Sequence, residues 1–197
     1  MLQEKLKGYH LILASGSPRR QQFFKELGLD FEVRLKSVDE VYPEELQGSE
    51  IARYLSKLKA SPFKGSLVSN EILVTSDTVV WYKNRSLAKA SDAKVAYQML
   101  KTLSGDWHDV ITAVTFTTSK NQNTIHHTTK VKFKEFSEAE ILYYVSTFKP
   151  FDKAGAYGIQ EWIGHIGITS IEGSYFNVMG LPVHAVYKTL NDMALSS

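Results

Sequence analysis

The run from Ile72 to Trp81 is apolar on both sides of Ser76-Asp77-Thr78 and shows no alternation of apolar and polar positions. A segment of this kind settles as a strand covered on both faces, so helices must lie on each side of a sheet. It also sets a carboxylate, Asp77, where water is scarce. An unpaired buried charge is costly, so Asp77 needs a cation or a metal as partner.

The flanking segments supply the helices. Leu11 to Ala14 reads as a short buried strand, and Ser15-Gly16-Ser17-Pro18 punctuates its end. A helix follows, with Ser17 as N-cap, Pro18 in the first helical position and Gly28 as the stop. Phe31 to Leu35 predicts a second strand. A helix capped by Ser49 carries Ile51, Leu55 and Leu58 on one face until Pro62. Lys83-Asn84-Arg85 marks a turn, and Ser91 is placed to cap a helix ending at Ser104-Gly105.

Val110 to Thr118 and Thr124 to Phe136 predict a hairpin around Ser119-Lys120-Asn121. Ser137 and Glu140 form a capping box, with Phe136 and Ile141 as its hydrophobic staple. An irregular Gly-rich segment, Asp152 to Gln160, precedes a strand expected over His165 to Ile171 and a last helix from about Pro182. The expected class is α/β, or α+β, with a mixed sheet in one domain over residues 1–197.

No cysteine occurs among the 197 residues, which removes disulfides, thiolate catalysis and Cys-ligated metals. A reducing cytoplasm fits. Apolar runs fall far short of the ~20 residues of a membrane span, and a signal peptide's apolar stretch is lacking at the N-terminus. The formal charge of +2 says little about partners, so the placement of charge must decide.

Arg19 and Arg20 follow Pro18 in a first helical turn, where cations cost about 0.3–1 kcal/mol each against the helix dipole. With Ser15, Gly16 and Ser17 before them, they point to an anion, phosphate above all. Glu40 offers a second carboxylate, and hard oxygen ligands of this type suit magnesium or manganese. Lys59 and Lys89 are ordinary in isolation, and the histidines lack zinc-ligand spacing. Lys130, Lys132 and Lys134 alternate as edge-strand lysines do, so a nucleic-acid partner is disfavoured.

Several ordered blocks together resemble the Maf family of nucleoside triphosphate pyrophosphatases over about residues 10 to 190. They are Leu13 to Arg20, Ser76-Asp77-Thr78-Val79, Leu103-Ser104-Gly105 with His108, Val110 and Thr112, Asp152 to Gln160, and Gly180-Leu181-Pro182. The resemblance implies an elongated mixed sheet flanked by helices, with two lobes and a cleft, like that of inosine triphosphatases. It implies divalent-metal-dependent hydrolysis of the α–β phosphoanhydride; by their charge Glu40 and Asp77 are the residues to hold Mg2+ or Mn2+, with Asp77 open between ligand and base. Asp77 matches the family's proton acceptor, and Arg20, Glu40, Lys59 and Lys89 match its other charged positions.

Arg19, Thr78 and Gln160 match the branch that resembles dTTP and UTP pyrophosphatases, so they join Ser15, Gly16, Ser17 and Arg20 as expected substrate contacts. The chain departs from the family at Leu58, where many members carry Glu, and at Ala88 and Ala90 around Lys89. The resemblance implies a homodimer, and the short apolar runs argue against membrane contact. The alternative reading is a non-catalytic nucleotide-binding regulator of cell division.

Overall fold

The computed structural model describes residues 1–195. Its centre is β3 (Glu71–Tyr82), buried along almost its whole length. On one edge β3 pairs antiparallel with β5 (Trp107–Thr117), from Leu73 opposite Thr117 to Trp81 opposite Asp109. β5 continues through a hairpin into β6 (Gln122–Phe133), and β6 pairs with β7 (Ile168–Glu172).

The other edge of β3 is shared. β1 (His10–Leu13) pairs with it in parallel over Glu71 to Val74, and β2 (Phe31–Val33) lies parallel outside β1. Farther along, β4 (Arg85–Leu87) folds back antiparallel on Val80 to Tyr82. The β3–β4 turn needs left-handed backbone at Lys83 and Asn84, with φ of 45° and 61°, as tight hairpins do. Thr75 to Val79 are thus left without a strand neighbour on this edge. The sheet is split there.

Helices cover both faces. α3 (Ser49–Ala60) buries Ile51, Ala52 and Leu55 against Val79, Ile111 and Ala113. On the opposite face two cores form side by side. One gathers α4 (Ala93–Leu103) and α5 (Glu138–Phe148) over Val80, Val110 and Phe133. The other gathers α1 (Leu2–Lys5), α2 (Pro18–Glu26) and α8 (Val183–Leu195) over Leu11, Leu13 and Val74. Met179 packs against both cores and marks the junction between them. It follows α7 (Tyr175–Val178).

The mixed sheet, its central strand and the Ser137–Glu140 capping box agree with expectation. Other local readings are corrected. α3 has Gly48, not Ser49, at its N-cap, with φ of 49°. α4 is capped by Asp92, whose carboxylate accepts from Val95 N at 2.9 Å, rather than by Ser91. Residues 162–167, half of them expected in a strand, form α6 (Trp162–Gly167), and the strand starts at Ile168. β6 is not an edge where the lysines lie, because Lys130 stands opposite Glu172 and Lys132 opposite Ser170 of β7.

Candidate active site

The split in the sheet exposes β3 from its edge, so side chains of both faces are reached from one place. Asp77 points toward α3 and Thr78 toward the opposite face, as successive strand residues must. Lys59, on the last turn of α3, reaches Asp77 Oδ1 at 2.5 Å and Glu40 Oε1 at 3.1 Å. Its ammonium lies between the two carboxylates. Burial pushes the Asp77 carboxyl above its ordinary range, while Lys59 and then Arg20 pull it back.

The loop after β1 closes the other side of the split. Ser15 is buried, and its Oγ accepts from Ser17 N at 3.3 Å. Ser17 holds the N-cap position of α2, yet its side chain caps nothing. The first-turn N–H groups therefore stay available to an anion.

Arg20 fills the gap in the ladder. Its Nη1 donates to Ser76 O at 2.9 Å and to Ser15 Oγ at 3.4 Å, its Nε to Gly180 O at 2.8 Å, and its Nη2 to Thr78 Oγ1 at 3.0 Å. Four of its five hydrogens are committed, so Arg20 clasps three segments together and keeps one donor spare. Burial lowers its pKa, against the attraction of Asp77. Arg19 is freer, with Asp152 Oδ2 at 3.9 Å as its ion-pair partner.

Two hollows meet here. One, of about 520 Å³, runs along Ser15, Gly16, Ser17, Glu40 and Lys89. The other, of about 150 Å³, lies over Thr78, Val80, Val110, Tyr157 and Met179 and reaches Asp77. Ser17, Arg19, Arg20, Lys59, Lys89 and Asp152 line both. Gln160 lines neither. It lies in the turn after Tyr157, half-buried.

Lys153 is among the residues that sequence reasoning missed. Its side chain is only 10% exposed, it lines the smaller hollow, and its Nζ is held by Asp152 at 2.7 Å and Glu161 at 3.0 Å. Glu161 in turn accepts from the buried Tyr144 hydroxyl. The one available signal was a lysine inside a Gly-rich segment, which by default is solvated.

Glu40 and Asp77, drawn together by Lys59, supply the pair of carboxylates that a divalent metal asks of a protein. Mg2+ takes one or two carboxylates and completes its shell with water and phosphate oxygens. Among the described residues no group of three or more His, Asp or Glu gathers into a closed cage. Glu40 and Asp77 would be the protein's share.

A mixed sheet parted at its central strand, with cationic side chains and two carboxylates meeting in the gap, is the arrangement of an α/β protein built to hold a polyanion. The chain belongs to the Maf family: the family model described as Maf-like protein matches residues 10–193.

Among its relatives is the "dTTP/UTP pyrophosphatase" of Flavobacterium johnsoniae, 57% identical over 98% of this chain and 100% of that one. Proteins of the same name from Christiangramia forsetii, at 54%, and Bacteroides thetaiotaomicron, at 46%, are matched over 98% and 95% of this chain and 98% of each of theirs. The solved structure of the Staphylococcus aureus Ham1 protein is similar in fold, with TM-score 0.54 at 13% identity over 93% of this chain and 99% of that one. Among the described residues no helix is long and apolar enough to cross a membrane.

Proposed function

We propose that the chain hydrolyses the α–β phosphoanhydride of nucleoside triphosphates, dTTP and UTP foremost, to the monophosphate and pyrophosphate. The observation that carries this reading is the meeting of Arg19, Lys59 and Lys89 with Asp77 and Glu40 along two continuous hollows. The names of its relatives support the substrate.

A triphosphate brings about four negative charges, and a water molecule approaches phosphorus only when these are balanced. Arg19, Lys89 and the open N-terminus of α2 gather the phosphates in the larger hollow. Lys59 holds Asp77 and Glu40 in place. Water adds to a phosphorus of the bridge, its proton passes to Asp77, and a P–O bond of the bridge breaks. The raised pKa of Asp77 suits a proton acceptor, because a stronger base takes the proton more readily near neutral pH. Mg2+ or Mn2+ on Glu40, with Asp77 either its second ligand or the proton acceptor, would neutralise phosphate oxygens.

The smaller hollow receives the base, with Val80, Val110 and Met179 as its apolar surface and Thr78 as its polar contact. Work on free nucleotides belongs in the cytoplasm, and the family resemblance implies a homodimer.

The test is pyrophosphate release from a panel of nucleotides with Mg2+ or Mn2+. Release from dTTP and UTP is expected. Orthophosphate as sole product, or binding by calorimetry without turnover, would overturn the hydrolase reading, the latter in favour of a regulator.

A further inference from the structure

Thr78 stands in a chain of hydrogen bonds whose direction is fixed by its two ends. The carbonyl oxygen of Asn177 has no hydrogen to give, so Thr112 Oγ1, 3.0 Å away, donates to it. Thr112 has then used its single hydroxyl hydrogen. The 3.0 Å contact between Thr78 Oγ1 and Thr112 Oγ1 therefore runs from Thr78 to Thr112. At the other end Arg20 Nη2, which only donates, gives a hydrogen to Thr78 Oγ1. The reverse order would press two lone pairs together, Thr112 against Asn177, where both residues are fully buried.

A hydroxyl has one hydrogen and two lone pairs. The hydrogen of Thr78 goes to Thr112 and one lone pair to Arg20. What it keeps for the hollow it lines is one lone pair. Arg20, which lines the same hollow, keeps one Nη2 hydrogen. A lone pair on Thr78 asks for an N–H.

Resting on the proposed nucleotide site, we infer that Thr112, buried and outside the hollow, sets the base preference by fixing Thr78 as a hydrogen-bond acceptor. The pyrimidine must then present a hydrogen where it meets Thr78. Uracil and thymine do so at N3, between two carbonyls. Cytosine held in the same seat by its triphosphate turns a bare N3 toward the Thr78 lone pair. A site that hydrogen-bonds a substrate group rejects analogues lacking that group far more strongly than an apolar pocket does. Thr112 is a positioning residue, since it acts through Thr78.

The experiment compares kcat/KM for UTP, CTP and 3-methyluridine triphosphate on the parent, Thr112→Val and Thr112→Ser. The parent is expected to favour UTP over both others by about tenfold or more. Thr112→Val frees the Thr78 hydrogen to turn into the hollow, so the UTP-to-CTP ratio falls about tenfold, and Thr112→Ser restores it. An unchanged ratio in a folded Thr112→Val, or a parent that accepts 3-methyluridine triphosphate as well as UTP, overturns the inference.

If Thr112→Val does not fold, the methylated nucleotide on the parent decides alone. Failure of the hydrolase reading shows differently, as no turnover on any nucleotide. The same ratios are then read as Kd values by calorimetry.

Discussion

Asp77 and Lys153 show how far single residues can be read. An acid in the middle of an apolar run announces itself, because burial demands a partner, and Lys59 supplies it at 2.5 Å. Asp77→Asn keeps the shape and removes both the charge and the basicity. Turnover is expected to fall by about 10²–10⁴ in the pyrophosphate assay with the fold retained by circular dichroism. Equal rates would take Asp77 out of the mechanism. Lys153 gives no such sign, for a lysine beside glycines reads as solvated, and only the tertiary structure places it between Asp152 and Glu161. Lys153→Met strips Glu161, whose side chain is 18% exposed, of its counter-charge. Breaking a buried pair in this way is expected to cost about 3 kcal/mol in urea denaturation.

At the level of elements, long patterns were legible and short ones were not. The double-sided apolar run of β3 and the capping box of α5 fix their elements locally, and both stand where the sequence places them. The caps of α3 and α4 slip by one residue because Gly48-Ser49 and Ser91-Asp92 each offer two acceptable caps side by side. The His165–Ile171 segment misleads for a different reason. Its isoleucines and threonine favour a strand, yet Gly164 and Gly167 let a short helix press against neighbours that any side chain would strike. A Cβ on Gly164 would lie 2.0 Å from Ile159 O, and one on Gly167 would lie 2.1 Å from Phe136 Cζ. The first contact is with backbone and cannot be relieved by a rotamer. Gly164→Ala is therefore expected to displace the Tyr157–Glu161 turn, lower stability by about 1–3 kcal/mol in thermal melts and raise KM for the nucleotide. A variant as stable and as active as the parent would show that α6 does not hold this wall of the smaller hollow.

Across the whole molecule, a buried contact behind the smaller hollow ties β5 to the segment that carries Tyr157. His108 on β5 meets the Tyr157 hydroxyl at 2.7 Å, and its ring lies 5.0 Å from that of Phe133. Burial lowers the His108 pKa to about 4 and raises that of Tyr157, so both are neutral at physiological pH. The unfolded chain, with an ordinary histidine near 6.5, binds a proton that the folded one refuses. Stability that is full above pH 6.5 is thus lost as the pH falls toward 4. At about 1.36 kcal/mol per pH unit, the loss from this group is about 2 kcal/mol between pH 6.5 and 5. His108→Gln keeps a hydrogen-bonding group near Tyr157 and cannot take up the proton. Urea denaturation at a series of pH values is expected to show a flatter curve for the variant over that window, because the carboxylates common to both proteins cancel in the difference. Parallel curves would mean that His108 is protonated in the folded state as readily as in the unfolded, and that the wall it forms with Tyr157 admits water.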